Sequence, residues 1–308
     1  MILRNYESLP EMLKEGSDID FLIDQNSWNN IYHILVSMQG VDILISSKRI
    51  FVHEFIVRYE KEMFIKLDFH PFEDWRGAIY FTSESVLKSK IKYKNFYVAS
   101  KIHQAFTMCL SSFLHGGFIK KKYNPIIKDI LQKQRDIMCF EDIFGKKNLE
   151  AIRLYYQDAI DDTSILKYRK SIIYNIIINN LSNAPVDYIR RFLRSIYDEI
   201  KYRVSCNGII IKLKTSNNIT AQQSLCTWLH SFIGADRIDI INKESSLKSK
   251  LLTYDRVGRL HIEIYENVFT PILMRKPDII LNDDNIDNMK YVITDFLIRR
   301  NKRRNNIN

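Results

Sequence analysis

Two short stretches of the chain alternate apolar and polar residues with the period of a β-strand. In residues 18–23 the polar positions are Asp18 and Asp20, and in residues 64–70 the acid is Asp68. Because side chains on a strand point alternately to opposite faces, each stretch has one apolar and one polar face. The pattern predicts two strands whose apolar faces pack on helices and whose polar faces carry three carboxylates.

The rest of the pattern divides the chain into three parts. Residues 1–98 mix strand and helix patterns, residues 99–203 repeat apolar residues at helical spacing, and residues 204–308 return to strands and helices. We therefore predict an α/β (α+β) N-terminal domain with a mixed sheet, a helical middle domain and a smaller α/β C-terminal domain. Further strands are predicted at 41–45, 49–59, 78–81, 208–213 and 278–282, and helices near 27–40, 83–87, 102–113, 125–135, 148–160, 164–181, 185–201, 225–232 and 287–300.

The chain is basic. Its 308 residues include 46 Lys and Arg against 36 Asp and Glu, a net charge of +10. This favours an anionic partner such as a nucleotide, a nucleic acid or an anionic membrane surface. Part of the excess lies in residues 120–122 and 299–304, and we interpret the second run as a solvated tail. The sequence contains no zinc-finger or ribonucleoprotein motif, so the charge is not specific for nucleic acid.

The spacing of the four cysteines indicates their redox state and, from it, the cellular compartment that we expect. The spacing of Cys109, Cys139, Cys206 and Cys226 fits neither a disulfide framework nor a zinc site. We expect reduced, mostly buried thiols of a cytoplasmic protein. No signal peptide opens the sequence, and no apolar run approaches the length of a membrane span.

Carboxylates that share one sheet face repel one another unless a cation neutralises them. Magnesium prefers carboxylate oxygens, and two-metal sites hold ions about 3.5–4 Å apart to clamp the attacking and leaving oxygens of a displacement at phosphorus. Asp18, Asp20 and Asp68 are therefore candidate ligands of Mg²⁺ or Mn²⁺. The alternative is that Asp18 and Asp20 form a solvated strand end and that Asp68 is an ordinary surface acid.

The motif Gly16-Ser17-Asp18-Ile19-Asp20 followed by Leu67-Asp68-Phe69 resembles the nucleotidyltransferase fold of the DNA polymerase beta superfamily. With residues 3–10 and 75–77, it is similar to bacterial nucleotidyltransferase-like proteins of surface-polysaccharide gene clusters. The resemblance covers the first third of the chain. It implies a metal-dependent transfer of a nucleoside monophosphate from a nucleoside triphosphate to a hydroxyl acceptor, which would be a sugar, a small alcohol or a protein side chain.

The resemblance also implies a role for each residue of the motif. Asp18 and Asp20 would hold two magnesium ions, and Asp68 would bind the ion that activates the acceptor hydroxyl or act as its base. Strand alternation puts His70 on the Asp68 face, where it either binds substrate or is structural. Contacts to phosphate or substrate are expected from Arg4, Gly16, Ser17, His70, Lys101 and Lys122, with a solvated surface position as the alternative for the two lysines.

Two features favour a rival hypothesis. Members of the superfamily usually place a Gly-Gly or Gly-Ser pair about ten residues before the first aspartate, whereas here Gly16 and Ser17 directly precede Asp18. The segment after residue 204 is similar to the opening of a thymidylate-kinase-like P-loop domain, but residues 212–224 contain no glycine, which a phosphate loop requires. The alternative function is therefore a catalytically degenerate nucleotide-binding or assembly module.

Overall fold

Four strands near the start of the chain form a mixed sheet in this computed structural model. They are β1 (Ser17–Leu22), β2 (Val41–Lys48), β3 (His53–Tyr59) and β4 (Met63–His70). The strand order is β1-β4-β3-β2, with β1 parallel to β4 and the two other pairs antiparallel. The structure describes residues 1–3, 6, 9, 17–48, 51–60, 63–133, 137–204, 209–213, 219–233, 238–241, 260–264, 278–281 and 285–305.

The helix predicted near residues 27–40 is shorter and begins differently. Asp24 accepts a hydrogen bond from the backbone N–H of Asn26 and starts a 3-10 helix at Gln25–Asn30, which continues into α1 (Ile31–Ser37). Ile31 and Leu35 are buried in α1, whereas Ile34 and Met38, which the pattern placed on the same face, are exposed. A helix of about two turns is too short for helical spacing to identify its buried side.

A hairpin follows the first sheet. The strand expected at residues 78–81 forms as β6 (Ala78–Thr82) and pairs with β5 (Phe72–Trp75) as a separate two-stranded sheet. Thr82 caps the short helix α2 (Ser83–Lys88) by accepting from the N–H of Ser85. Strands β7 (Ile91–Tyr93) and β8 (Phe96–Val98) then form a second, shorter hairpin.

Six α-helices among the described residues form the middle of the chain and share a core with the β5–β6 hairpin. Buried side chains of Tyr80 and Phe81 pack in the same cluster as Phe106 and Phe144. The helices are α3 (Lys101–Gly116), α4 (Asn124–Lys133), α5 (Glu141–Phe144), α6 (Lys146–Tyr156), α7 (Asp162–Asn183) and α8 (Pro185–Val204). Pro185 begins α8, as its fixed φ and missing N–H favour.

The last part of the chain forms a parallel sheet. Its strands are β9 (Ile209–Leu213), β10 (Ile238–Ile241), β11 (Leu260–Ile264) and β12 (Ile279–Leu281), in the order β10-β11-β9-β12, with helices α9 (Ile219–Ile233) and α10 (Ile286–Asn305). The chain is thus a mixed α/β protein. The predicted polar loop at residues 214–218, which stands where a phosphate loop would lie but contains no glycine, is outside the described residues.

Three further sequence predictions can be compared with the structure. Cys109, Cys139 and Cys226 form no disulfide, and the first and last of them are buried; Cys206 lies outside the described residues. The basic run after residue 299 continues α10 as far as Asn305. None of the helices in the described ranges combines the length and the apolar character that a membrane-spanning segment needs.

The polar face of the first sheet is covered at both ends. At the end of β1, Leu22 is fully buried in the cluster that the middle helices form. At the opposite end, Ile56 and Phe64 pack in a second cluster with Leu229 of α9 and Ile293 of α10. The strip of sheet between these two clusters carries the predicted acids.

Candidate metal centre

Strand pairing lines up three carboxylates across the strip. The parallel register of β1 and β4 places Asp20 directly opposite Asp68, and the antiparallel register of β3 and β4 places Glu54 opposite Asp68 on the other side. Residues paired across neighbouring strands lie on the same face, about 4.8 Å apart along the hydrogen-bonding direction. All three are largely withdrawn from water, with Asp20 only 5% exposed.

The next row of the same face contains a lysine. Asp18 is paired with Lys66, and the ammonium group of Lys66 points towards the row of acids. Its Nζ atom lies 2.9 Å from Asp68 Oδ2, 3.4 Å from Asp18 Oδ1 and 3.7 Å from Glu54 Oε2. One cation of the chain itself therefore sits among three carboxylates.

His70 completes the site from the adjoining row of β4. Its Nε2 atom lies 3.7 Å from Asp20 Oδ1. One ligand atom from each of Asp20, Asp68 and His70 can be chosen so that all three lie within 4.8 Å of one another. The Oδ1 atom of Asp68 is buried and has no hydrogen-bond partner among the described residues. These residues thus offer two carboxylates and an imidazole at one point of the sheet.

Burial and the Lys66 ammonium have opposite effects on the pKa of Asp68. Burial raises the pKa of Asp68, the Lys66 ammonium opposes this, and the carboxylates of Asp18 and Glu54 add to the rise. Burial disfavours the charged form of Lys66, but Asp68, Asp18 and Glu54 outweigh it, so the pKa of Lys66 is raised. The lysine therefore remains an ammonium, while the pKa of Asp68 lies above the ordinary value of an aspartate.

The neighbouring acids also change the pKa of the His70 imidazole. Burial alone would lower its pKa, yet the hydrogen bond and the negative charge of Asp20 reverse the effect and raise it. A metal ion that binds this nitrogen must therefore displace a proton, as histidine ligands generally require.

The predicted residues are distributed unevenly around this site. Asp20, Asp68 and His70 come together, while Asp18 lies one row away with its side chain 51% exposed. Lys101 donates to the Tyr6 hydroxyl at 3.1 Å, and the ammonium of Lys122 lies over the ring of Tyr123. Both of these contacts are made with tyrosines and not with the acids. Ser17 is the first residue of β1, whereas Arg4 and Gly16 lie outside the described residues.

Two residues of the site were not among the site residues predicted from the sequence. Lys66 precedes Asp68 by two positions, so strand alternation alone places it on the acidic face. Glu54 carries no such signal, because its position beside Asp68 depends on the register between β3 and β4. Registers of this kind are fixed by long-range packing and by turn geometry.

The donor set suits a divalent cation. Carboxylate oxygens are the ligands that Mg²⁺ and Mn²⁺ prefer, and an imidazole nitrogen is a better ligand for Mn²⁺ than for Mg²⁺. The Oδ1 atom of Asp68, which has no hydrogen-bond partner among the described residues, is available as a ligand atom for such an ion. The chain matches no protein-family model, and neither a curated protein nor a solved structure matches it.

Proposed function

We propose that the protein is a metal-dependent nucleotidyltransferase that moves a nucleoside monophosphate from a nucleoside triphosphate to a hydroxyl acceptor. The acceptor class is a sugar, a small alcohol or a protein side chain. The observation that carries the proposal is the convergence of Asp20, Asp68 and His70, whose ligand atoms lie within 4.8 Å of one another. The resemblance of residues 16–20 and 67–69 to the DNA polymerase beta superfamily supports the choice of reaction, with a cytoplasmic role in surface-polysaccharide biosynthesis as its setting.

Each residue of the site has a role in this proposal. Asp20, Asp68 and His70 would hold Mg²⁺ or Mn²⁺, which would supply positive charge at the transferring phosphoryl group. Asp68 would serve as the ligand of the ion that activates the acceptor hydroxyl, and its buried Oδ1 atom has no hydrogen-bond partner among the described residues. Gly16 and Ser17 keep their role as phosphate contacts on the resemblance alone, and Arg4 keeps it because a guanidinium can donate several hydrogen bonds to a phosphate.

Metal binding is the first test. Titration with MnCl₂ in a calorimeter should show saturable binding, and the melting temperature should rise with metal, because a ligand at a hundredfold excess over Kd stabilises the native state by about 2.7 kcal/mol. Asp20→Asn should lose both effects. The matched control is Asp42→Asn, which removes the same charge from the same sheet but from a pair with Arg58, at 2.7 Å. Equal Mn²⁺ binding by Asp20→Asn and the parent would refute the metal centre.

Turnover is the second test. The parent, incubated with Mn²⁺, nucleoside triphosphates labelled at the α-phosphorus and a mixture of sugars, alcohols and cell proteins, should move label to an acceptor and release pyrophosphate. Asp20→Asn should do neither at a detectable rate, whereas Asp42→Asn should match the parent. Transfer by Asp20→Asn at the parental rate would exclude this site as the source of activity.

Lys66 favours a second candidate function, the nucleotide-binding or assembly module. Its ammonium already offsets part of the charge of Asp18, Asp68 and Glu54, so the acids can persist without metal or catalysis. This candidate predicts that a nucleoside triphosphate binds with the same affinity with and without Mn²⁺ and stays intact. The same calorimetric and labelling experiments therefore separate the two functions.

A further inference from the structure

Lys66 occupies a position that a metal ion would otherwise suit. Its Nζ atom contacts one oxygen from each of Asp18, Asp68 and Glu54, at 3.4, 2.9 and 3.7 Å. We propose that this ammonium is a permanent substitute for one of the two cations of a two-metal site, so that the protein binds a single divalent ion. The inference rests on the proposed metal-dependent function and specifies the cation content of that site.

The two oxygens of Asp68 support this division of the site. The Oδ2 atom accepts from Lys66, while Oδ1 is buried without a partner among the described residues. In a two-metal site the ions lie about 3.5–4 Å apart, a spacing that a single carboxylate can bridge with its two oxygens. Asp68 has the matching arrangement here, with the ammonium on one oxygen and the second oxygen left for a metal.

The remaining ligands divide in the same way. Asp20 and His70 converge with Asp68 into one ligand group, whereas Asp18 and Glu54 form ion pairs with Lys66. The lysine is also held in place, since its own strand carries Asp68 and its side chain is 20% exposed. Substrate phosphates would therefore meet one metal ion and one fixed ammonium, which contributes charge but no open coordination position.

Replacement of the lysine should create a second metal site. Lys66→Met keeps a side chain of similar length and removes the charge, so that the oxygens of Asp18, Glu54 and Asp68 that face the ammonium lose this counter-charge and can be neutralised by a second ion. Lys66→Arg retains the charge and is the matched control. We expect calorimetric titration with MnCl₂ to give one ion for the parent and for Lys66→Arg, and two for Lys66→Met. The paramagnetic resonance spectrum of Lys66→Met should show the exchange coupling of two neighbouring Mn²⁺ ions, with the parent spectrum that of an isolated ion.

The number of Mn²⁺ ions bound by each protein distinguishes failure of the inference from failure of the proposed function. Two ions in the parent, or one ion in both the parent and Lys66→Met, would overturn the inference and leave the metal-dependent function standing. No ion in the parent would instead refute the metal centre, and the inference with it. Lys66→Gln replaces Lys66→Met in the same titration if circular dichroism shows that the methionine variant does not fold.

Discussion

The ammonium group of Lys66 lies among carboxylates that would otherwise repel one another. Crowded acids without a counter-charge raise each other's pKa and lower the stability of the folded state as pH rises. With Lys66 between Asp18, Asp68 and Glu54, part of that cost is removed before any metal binds. The presence of three acids on one face is therefore weaker support for catalysis than their spacing suggested, and the stronger support comes from the ligand group that includes His70.

His103 gives the fold a pH dependence that is separate from the acidic site. Its ring packs against Phe81 and Phe140, and burial lowers its pKa to about 4. In the unfolded chain a histidine has a pKa of about 6.5, so between these values the unfolded state binds the extra proton. The free energy of unfolding should therefore fall as pH drops from about 6.5 to about 4, by up to about 3 kcal/mol, since one pKa unit corresponds to 1.36 kcal/mol.

Urea unfolding of the parent and of His103→Asn at several pH values between 4 and 7 measures this contribution. The variant retains a polar side chain near the hydroxyl of Ser100, which lies 2.7 Å from His103 Nδ1, but cannot take up the proton. Its stability should change less over this range. His115→Asn, which removes a histidine from an exposed position of the same helix, is the control variant. Parallel pH profiles for the parent and His103→Asn would show that the buried imidazole is not responsible.

At the scale of elements, the strands were the most predictable part. An alternation of period two assigns both faces of β1 and β4 without knowledge of any neighbour, and the register confirms that Asp20 and Asp68 share a face. The pairing of β6 could not be predicted in this way. That strand is held by Asn180 of α7, whose side-chain amide donates to the carbonyl of Ile79 at 2.7 Å and accepts from its N–H at 3.0 Å. A contact across 101 residues leaves no local signal.

The turn of the β5–β6 hairpin is in close contact with α8. Gly77 has a φ of +86°, and a Cβ atom there would come within 2.9 Å of backbone atoms of Arg191 and Phe192. Arg191 in turn donates to the carbonyl of Gly77 at 3.0 Å. Gly77→Ala should therefore lower the free energy of unfolding through backbone strain and through overpacking, which together cost about 2–5 kcal/mol.

A second glycine separates these two causes. Gly117 has a similar φ of +73°, but a Cβ atom there meets nothing closer than 3.7 Å. Gly117→Ala should thus show the cost of the backbone conformation alone, about 1–2 kcal/mol. Urea midpoints of the two variants give the comparison. If both variants lost the same free energy of unfolding, the close approach of α8 to the hairpin would make no contribution to the cost of Gly77→Ala.

At the scale of the whole molecule, the acidic strip lies between two cores. One is built by the middle helices and reaches the first sheet at Leu22, and the other is built by the C-terminal elements and reaches it at Ile56 and Phe64. The sequence suggested three parts in succession but held no information on which parts meet. The packing of α9 and α10 on the first sheet joins residues more than 150 positions apart, and such contacts depend on the complete set of apolar surfaces.

The second cluster contains side chains from both four-stranded sheets. A destabilising substitution in this cluster should therefore lower the stability of both sheets. Ile293 in α10 is fully buried in this cluster with Leu44, Ile56 and Phe64. Ile293→Ala should lower the free energy of unfolding by about 2–5 kcal/mol, the usual range for truncation of a buried aliphatic side chain. Hydrogen exchange read by mass spectrometry should show faster exchange in β3 and β4 as well as in β9 and β12, since the cooperative unit spans both sheets.

The neighbouring residue of the same helix provides the control. Val292 is 42% exposed, so Val292→Ala removes little buried surface and should change the stability by no more than about 0.5 kcal/mol. If Ile293→Ala accelerated exchange in β9 and β12 while β3 and β4 kept the parental rates, the two sheets would unfold independently. The strip that carries Asp20 and Asp68 would then owe its geometry to the first sheet and the middle helices. Coupled exchange would instead show that the C-terminal elements help to hold the metal ligands in place.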